Sequence, residues 1–500
     1  MKHRSQRSTF AGDVLRMASA PLFTQTLGIF LMPIVTRLYD PAAYGAFNLF
    51  GSIVMPIAVF VGLGYSSSIV LPQRDEVASN MLCVSLSLTL LMVALTIPLI
   101  WFGSDLLLRW LKAPELGRYL WLIPVDVLAH GLYVSFRFWN VRNRRFGRIA
   151  VSRISNSVVN KGVLIGAGLS GLATPGSLIV GGIAGSLAMS GVLGGRIWQE
   201  SGQLFKRSIQ WRSMAQGMKR YRKFPMYSLW TGVLARLSTS MTIFLFAMYF
   251  SQSVIGYYGL GLVVLSMPAA FIGSSIAEVF YQRAARARHD GTRAALVENL
   301  FIQMTRISML PFLLLAVNGD GFFALVFGEN WAEAGMYAQI LSFKLFISFI
   351  ITPLKTLPNI FQRQELSLMF SVATVVTTLM SVIAGGLLNS VYVALFLLSV
   401  SGGLVLLGFG LGMFSLAGVS LSGIVKVLLK VLVSCGPIIL AVAVAKWWFG
   451  ASTAILIAIS VIGSAAYYWR LWKRDKDLRS TILTILRKAK PGAGRERNVE

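Results

Sequence analysis

The sequence predicts an all-α membrane protein: about 14 transmembrane helices, arranged as two six-helix bundles related by a parallel repeat, followed by two C-terminal helices. Three observations carry that prediction. The first is composition. The chain has 500 residues, of which 55% are hydrophobic and only 13% charged, and its mean hydropathy is +0.69. A soluble chain carries about 25% charged residues. The second is the number of apolar segments long enough to cross an apolar layer of about 30 Å as a helix. The third is a pattern that recurs six spans along the chain.

The spans follow in order. A basic start, MKHRSQRSTFAGD, leads into an apolar stretch too long for a signal-peptide core, so the first span is expected to be retained. Residues 1–223 form the expected N-terminal six-helix bundle, with spans near 14–36, 46–70, 80–102, 119–137, 154–173 and 178–197. Residues 224–415 form the second, with spans near 226–250, 256–280, 307–327, 336–354, 367–388 and 391–415. Residues 416–470 hold two extra transmembrane helices near 424–445 and 452–470, and 471–500 form a basic tail expected in the cytoplasm. Transmembrane barrel strands are about ten residues long and alternate in polarity; these segments do neither. Cys83 and Cys435 stand far apart in apolar stretches, which fits small buried hydrophobes and no disulfide framework.

The repeat is read from matching punctuation. Gly45, then Met55-Pro56, then a Gly/Ser run ending in Gln73-Arg74, recur as Gly256, Met267-Pro268 and Gln282-Arg283. The stretch from Asp105 to Pro124 likewise resembles that from Asp320 to Leu341. Six intervening spans give both copies the same topology, the arrangement of transporters whose bundles rock about a central site. Pro56, Pro268 and Pro124 are the candidate hinges, because proline interrupts the helical hydrogen-bond ladder.

The net charge of +27 suggests nucleic acid until the cations are placed. With a cytoplasmic N-terminus, 35 of the 46 Lys and Arg fall on the inner side, five in outer loops and six inside spans. That is the positive-inside bias, with both termini cytoplasmic. The outer loops carry acids instead, among them Asp40, Asp105, Asp320, Glu329 and Glu333. Gly166, Gly168 and Gly171 form a G-x-G-x-x-G inside an apolar span, which reads as helix packing and not as a nucleotide site. Gly181/Gly185, Gly191/Gly195 and Gly408/Gly412 read as small-residue packing pairs of the same kind. No catalytic, metal-ligating or cofactor-binding set is found, so a non-enzyme is expected.

The charges inside the spans are the informative remainder, since each costs about 2.5–3.5 kcal/mol at the bilayer centre. Arg236 lies near the middle of the seventh span, ahead of Ser238, Thr239 and Ser240. Lys344 lies midway along the tenth, with Ser348, Thr352 and Lys355 continuing its face. Asp126, His130, Tyr133 and Arg137 form one stripe on the fourth. Lys161 is less deep, and Glu278 sits near an inner end. Arg16, Lys426 and Lys430 lie near cytoplasmic ends, where long side chains snorkel. One reading is a structural pair such as Asp126 with Arg236. The other is a basic cavity for an anion, in which a guanidinium holds phosphate oxygens with two hydrogen bonds and Asp126, His130 and Glu278 couple or gate through a proton or sodium ion.

The segment PLFTQTLGIFLMPIVTRLYDPAAYGAFNLFGSIVMPIAVFVGLGYSSSIVL (21–71) is similar to the opening of bacterial O-antigen and exopolysaccharide flippases, and FGENWAEAGMYAQIL (327–341) also resembles them. These flippases belong to the multidrug/oligosaccharidyl-lipid/polysaccharide exporter superfamily. The resemblance implies transport of a polyprenyl-pyrophosphate-linked oligosaccharide across the inner membrane by alternating access, for lipopolysaccharide or exopolysaccharide assembly. It assigns the pyrophosphate and acidic sugars to Arg236, Lys344, Lys161 and Arg16, and it names membrane lipids, a polysaccharide polymerase and chain-length machinery as partners. Two relatives supply alternatives. A lipid II flippase has an arginine-rich first span, matched here by Arg16 alone. Multidrug antiporters bind cations, which a basic cavity disfavours.

Overall fold

The computed structural model describes residues 10–268, 293–361 and 363–474. Among the described residues every regular element is helical. Ten helices among the described residues are long and apolar enough to cross a membrane, by length and composition alone. The expected fourteen include four more that fall short of that measure. The described apolar parts of three are short, at 23–38, 239–249 and 252–267. The fourth, 146–169, carries Arg148, Arg153 and Lys161 along its length. The chain divides into two compact units, one reaching Met248 and the other beginning at Tyr249.

The first unit contains α1 (Phe10–Leu38), α2 (Pro41–Val59), α3 (Asp75–Trp110), α4 (Ile123–Arg142), α5 (Phe146–Leu169), α6 (Pro175–Ser208), α7 (Trp211–Arg220) and α8 (Leu229–Tyr249). The α1–α2 turn shows why the Leu-Tyr-Asp-Pro sequence is there. The Tyr39 hydroxyl donates to the Leu164 carbonyl at 2.9 Å, tying α1 to α5. Asp40 caps α2 by accepting from the Ala43 amide at 2.6 Å, and Pro41 occupies the first turn, where its missing N–H costs nothing. Asp40, expected as an outer-loop acid, is thus a helix cap. The second expected span is broken in two: α2 ends at Val59 and a 3-10 segment covers Val61–Val70. The break sits at Gly62, Leu63 and Gly64, with φ of 62°, 44° and 78°. A β-carbon on Gly62 would lie 2.7 Å from the Ser66 and Ser85 hydroxyl oxygens, so position 62 of this left-handed turn takes glycine.

At the lysine- and arginine-rich end, Tyr65, Met81, Trp139 and Phe205 form one buried cluster. The amphipathic α7 packs there against α3, with Met214 buried and Trp211 exposed. Asn80 fastens the α6–α7 turn, donating to the Ser208 carbonyl at 2.8 Å and accepting from the Gln210 amide at 3.0 Å.

The second unit contains α9 (Gln252–Pro268), α10 (Arg293–Phe327), α11 (Ala332–Ile351), α12 (Leu357–Phe361), α13 (Gln364–Leu387), α14 (Val391–Ala417), α15 (Leu421–Trp447) and α16 (Thr453–Arg474). Its helix pairs repeat those of the first: α10 on α11, α11 on α14 and α13 on α14 match α3 on α4, α4 on α6 and α5 on α6. A 3-10 segment precedes the middle helix in each, at Pro114–Leu122 and Glu329–Trp331, and each plants buried apolar side chains, Leu116 and Leu120 in one and Trp331 in the other. The last two helices pack on α10, where Met309, Leu310, Cys435 and Tyr467 meet, and Tyr468 donates to the Ile307 carbonyl at 2.7 Å. Cys83 and Cys435 are free thiols.

Several expectations are corrected by these elements. Pro124 stands in the first turn of α4, directly after the 3-10 segment, so it starts the helix and does not kink it mid-span. Pro56 lies inside an unbroken α2; the backbone turns a few residues later, at the left-handed glycines. Pro268 ends α9, and 269–292 lie outside the described residues. Of the three glycine pairs, Gly181/Gly185 does seat α5 on α6, since a β-carbon on Gly181 would collide with the Leu164 side chain and one on Gly185 would lie 2.9 Å from the Asn156 carbonyl. Gly191/Gly195 and Gly408/Gly412 have nothing within 4 Å and pack no helix.

Candidate functional site

In the first unit the α4 stripe forms as expected, though it begins higher: Asp126 lies in the first helical turn, with His130 one turn later. Both are half-buried. The charges of Arg236, on α8, and Arg137 both bear on His130. His130 and Arg236, 106 residues apart in sequence, are therefore brought within electrostatic reach, with Arg137 acting on the same histidine and Asp126 one turn before it on α4. Among the described residues neither Asp126 nor Arg236 makes an ion pair, so the structural pair between them is not formed.

The position of His130 is fixed by close packing. A β-carbon on the neighbouring Gly131 would collide with side-chain carbons of both Thr89 and Val61. The glycine lets α4 press against α3 and the 61–70 segment. A hydroxyl chain holds the same junction, with Ser66 to Ser85 at 2.7 Å and Ser85 to Ser135 at 2.8 Å. Arg137 stacks on Phe138, its Cζ 4.6 Å from the ring centroid, and its Nε is buried without a hydrogen-bond partner. A buried donor left unpaired is uncommon, and here it belongs to a cation beside the histidine. Arg236 is exposed on α8.

Lys161 is half-buried on α5, and no described contact joins it to His130 or Arg236. Arg16 lies on α1, but its side chain is outside the described residues, and Glu278 is outside them altogether.

In the second unit Lys344 lies half-buried on α11 against α14: a β-carbon on Gly402 would meet its Cε at 2.7 Å. The glycine makes the channel in which the lysine stem lies. The expected face continues. The Thr352 hydroxyl donates to the Ser348 carbonyl at 2.6 Å, and Lys355 is close enough for its charge to bear on Lys344. Lys355 Nζ stands 5.6 Å from the Phe370 ring centroid. Among the described residues neither lysine makes an ion pair.

Two positioning residues escape sequence reading. In the sequence Arg142 is visible only as an inner-side cation. It donates to the carbonyls of Ile69, Pro72 and Gln73 and pairs with Asp75 at 2.8 Å, clamping the chain between the 3-10 segment and α3. Lys446 pairs with Asp320 at 2.7 Å and donates to the Val317 carbonyl at 3.0 Å, while Gln339 donates to the same carboxylate at 2.9 Å. These contacts fasten α15 to α10 and α11 beside the kink at Asn318. Nothing in sequence spacing signals either set, because the partners are remote along the chain. An apolar cavity of about 440 Å³ lies in the same unit between α9, α10 and α16, walled by Leu265, Phe312, Phe322 and Val461 and edged by Asn318.

The chain is similar to several known proteins. A family described as polysaccharide biosynthesis protein matches residues 34–336, more than half of the chain. The succinoglycan biosynthesis transport protein ExoT of Rhizobium meliloti is 24% identical over 494 residues, covering 92% of each chain. The teichuronic acid biosynthesis protein TuaB of Bacillus subtilis is 18% identical over 310 residues, 59% of each. Among solved structures, the lipid II flippase MurJ in an inward closed conformation superposes with a TM-score of 0.69 at 13% identity, over 91% of this chain and 98% of that one. A multidrug resistance MATE family transporter in an inward-facing conformation superposes at 0.51 with 17% identity, over 82% and 99%. The chain therefore belongs to the polysaccharide biosynthesis protein family, a multi-pass membrane protein with the fold shared by flippases and multidrug transporters of the exporter superfamily.

Proposed function

We propose that the protein flips polyprenyl-pyrophosphate-linked oligosaccharide repeat units from the cytoplasmic to the periplasmic leaflet of the bacterial inner membrane, by alternating access, for surface polysaccharide assembly. The observation that carries the reading is a set of cations without acidic partners among the described residues: Arg236 on α8 and Arg137 near the end of α4, whose charges bear on His130, in one unit, and Lys344 on α11 with Lys355 in the 3-10 segment that follows it in the other. Cations kept in a low-dielectric setting attract an anion strongly, and guanidinium groups match phosphate oxygens in pairs. The relative that covers nearly the whole chain is a succinoglycan transport protein, which favours a saccharide carrier. The apolar cavity beside α16 supplies a wall that an isoprenoid chain can share. The 35-to-5 distribution of cations supports both termini in the cytoplasm.

In this mechanism Arg236, Lys344 and Lys161 bind the pyrophosphate and acidic sugars. Asp126 and His130 exchange the coupling proton or a sodium ion. Repeated bundles of like topology supply the two rocking bodies. Complementation tests the assignment. A bacterial strain lacking its own polysaccharide flippase regains surface polymer when this protein is expressed; absence of polymer with the protein inserted contradicts the reading. Rescue of a strain depleted of its lipid II flippase would instead favour that substrate, the alternative similar in fold. Dye efflux without polymer would favour a drug antiporter.

A further inference from the structure

Helices α5 and α6 pack tightly at one end and part at the other. At Gly181 and Gly185 the helices touch. About two and three turns further along α6, Gly191 and Gly195 face open space, as does Gly147 on α5. The missing side chains leave a cavity of about 650 Å³ between Val151 and Val192. Its polar end is basic. Arg148 hydrogen-bonds Glu200 through both terminal nitrogens, and Arg145 lies 3.8 Å from the same carboxylate. Arg196 also lines the cavity and, among the described residues, makes no hydrogen bond or ion pair. Three guanidinium groups thus share one carboxylate. Trp198, two residues after Arg196 on α6, is 64% exposed, as an aromatic at a membrane interface would be. This is the end of the unit on which the loop cations concentrate.

An open apolar slot capped by surplus guanidinium charge has two solvents to satisfy. Apolar walls are poorly served by water, while the arginines need an anion or water. A phosphate carrying a hydrocarbon chain meets both. Lys161, the transport candidate on the same helix, stands 13 residues from Arg148, about 20 Å along the axis, so this slot is separate from it.

We propose that the α5–α6 slot is a binding site for an anionic diacyl phospholipid, its phosphate on Arg196 and one acyl chain over Gly191 and Gly195. Phospholipid is favoured over free phosphate because the floor is apolar, and the anionic class is favoured by the arginine surplus. Neither glycine has a neighbour within 4 Å, so enlarging it fills the slot without disturbing the fold.

The test uses the full chain purified in detergent, with lipid retention read by native mass spectrometry and by thermal shift. Phosphatidylglycerol should be retained about tenfold more than phosphatidylcholine. Arg196→Gln should erase that preference while leaving weak binding of both lipids. Gly195→Leu should reduce both by about tenfold, with Gly195→Ala as the milder control. Equal retention of the two lipids by the unaltered protein, or undiminished retention in Gly195→Leu, would overturn the proposal. So would full competition by glycerol phosphate, which would make the site a simple anion site, or preferential displacement by a polyprenyl phosphate, which would make it part of the transport path.

Discussion

The two units place cations inside helices in different company. In the first, Arg236 and Arg137 flank a histidine, with Asp126 one turn away on the same helix. In the second, Lys344 has Lys355 as its charged neighbour and lies against Gly402. The first neighbourhood thus sets a histidine and a carboxylate among its cations, while the second puts one lysine near another. In the proposed function the two units therefore divide the work: binding with ion exchange in one, binding alone in the other. The junctions differ in the same sense. Gly131 and the Ser66–Ser85–Ser135 chain lock α4 in place, whereas Lys344 relies on one glycine groove.

That contrast can be broken in steps. Arg236→Ala should have the largest effect, lowering polymer assembly at least about 100-fold with normal insertion. Arg236→Lys should restore only part, since a lysine lacks the paired donors. Lys344→Ala should cost about tenfold, and Gly402→Leu, which displaces the lysine stem, should approach it. Both are read as surface polymer per inserted protein. His130→Ala or Asp126→Asn should flatten the pH profile of transport between about pH 5.5 and 7.5, whereas Lys344→Ala should lower rates and leave the profile's shape intact. A pH response lost equally in both units would dissolve the division of labour. Gly131→Ala should destabilise by about 1–3 kcal/mol through overpacking and change the pH profile with it. Smallest are the clamps. Arg142→Ala, which leaves three carbonyls without their donor, should cost about 2 kcal/mol, and Asp320→Asn no more than about 1 kcal/mol, since that pair is partly exposed. Thermal unfolding in detergent reads all three.

How much of this is legible in the sequence depends on the length scale of the signal. Span positions follow from hydropathy summed over some twenty residues, so ten described helices long and apolar enough to cross a membrane overlap expected spans, while the count of fourteen is not reached and the second expected span is broken in two. The parallel repeat appears in paired punctuation, and the same helix pairs recur in the structure. Local backbone events are harder to place, because proline is read from its chemistry while the bend depends on neighbours. The turn falls at Gly62–Gly64 and not at Pro56, and Pro124 opens a helix. Glycine spacing alone does not tell contact from vacancy: Gly181 and Gly191 look alike in sequence, yet one seats a helix and the other faces open space. In the site, the α4 stripe is legible by periodicity. Its approach to Arg236 is not, since that depends on tertiary packing of α8. The clamps of Arg142 and Lys446 involve backbone carbonyls, which carry no sequence signature at all.

In the proposed function, intramembrane cations carry a pyrophosphate-linked saccharide across the bilayer. Its most direct test is translocation in proteoliposomes loaded with a polyprenyl-pyrophosphate oligosaccharide, comparing the unaltered protein with Arg236→Ala at equal reconstitution. Leaflet exchange by the unaltered protein and none above the lipid background by the variant is the expected result. Equal exchange by both would contradict the claim.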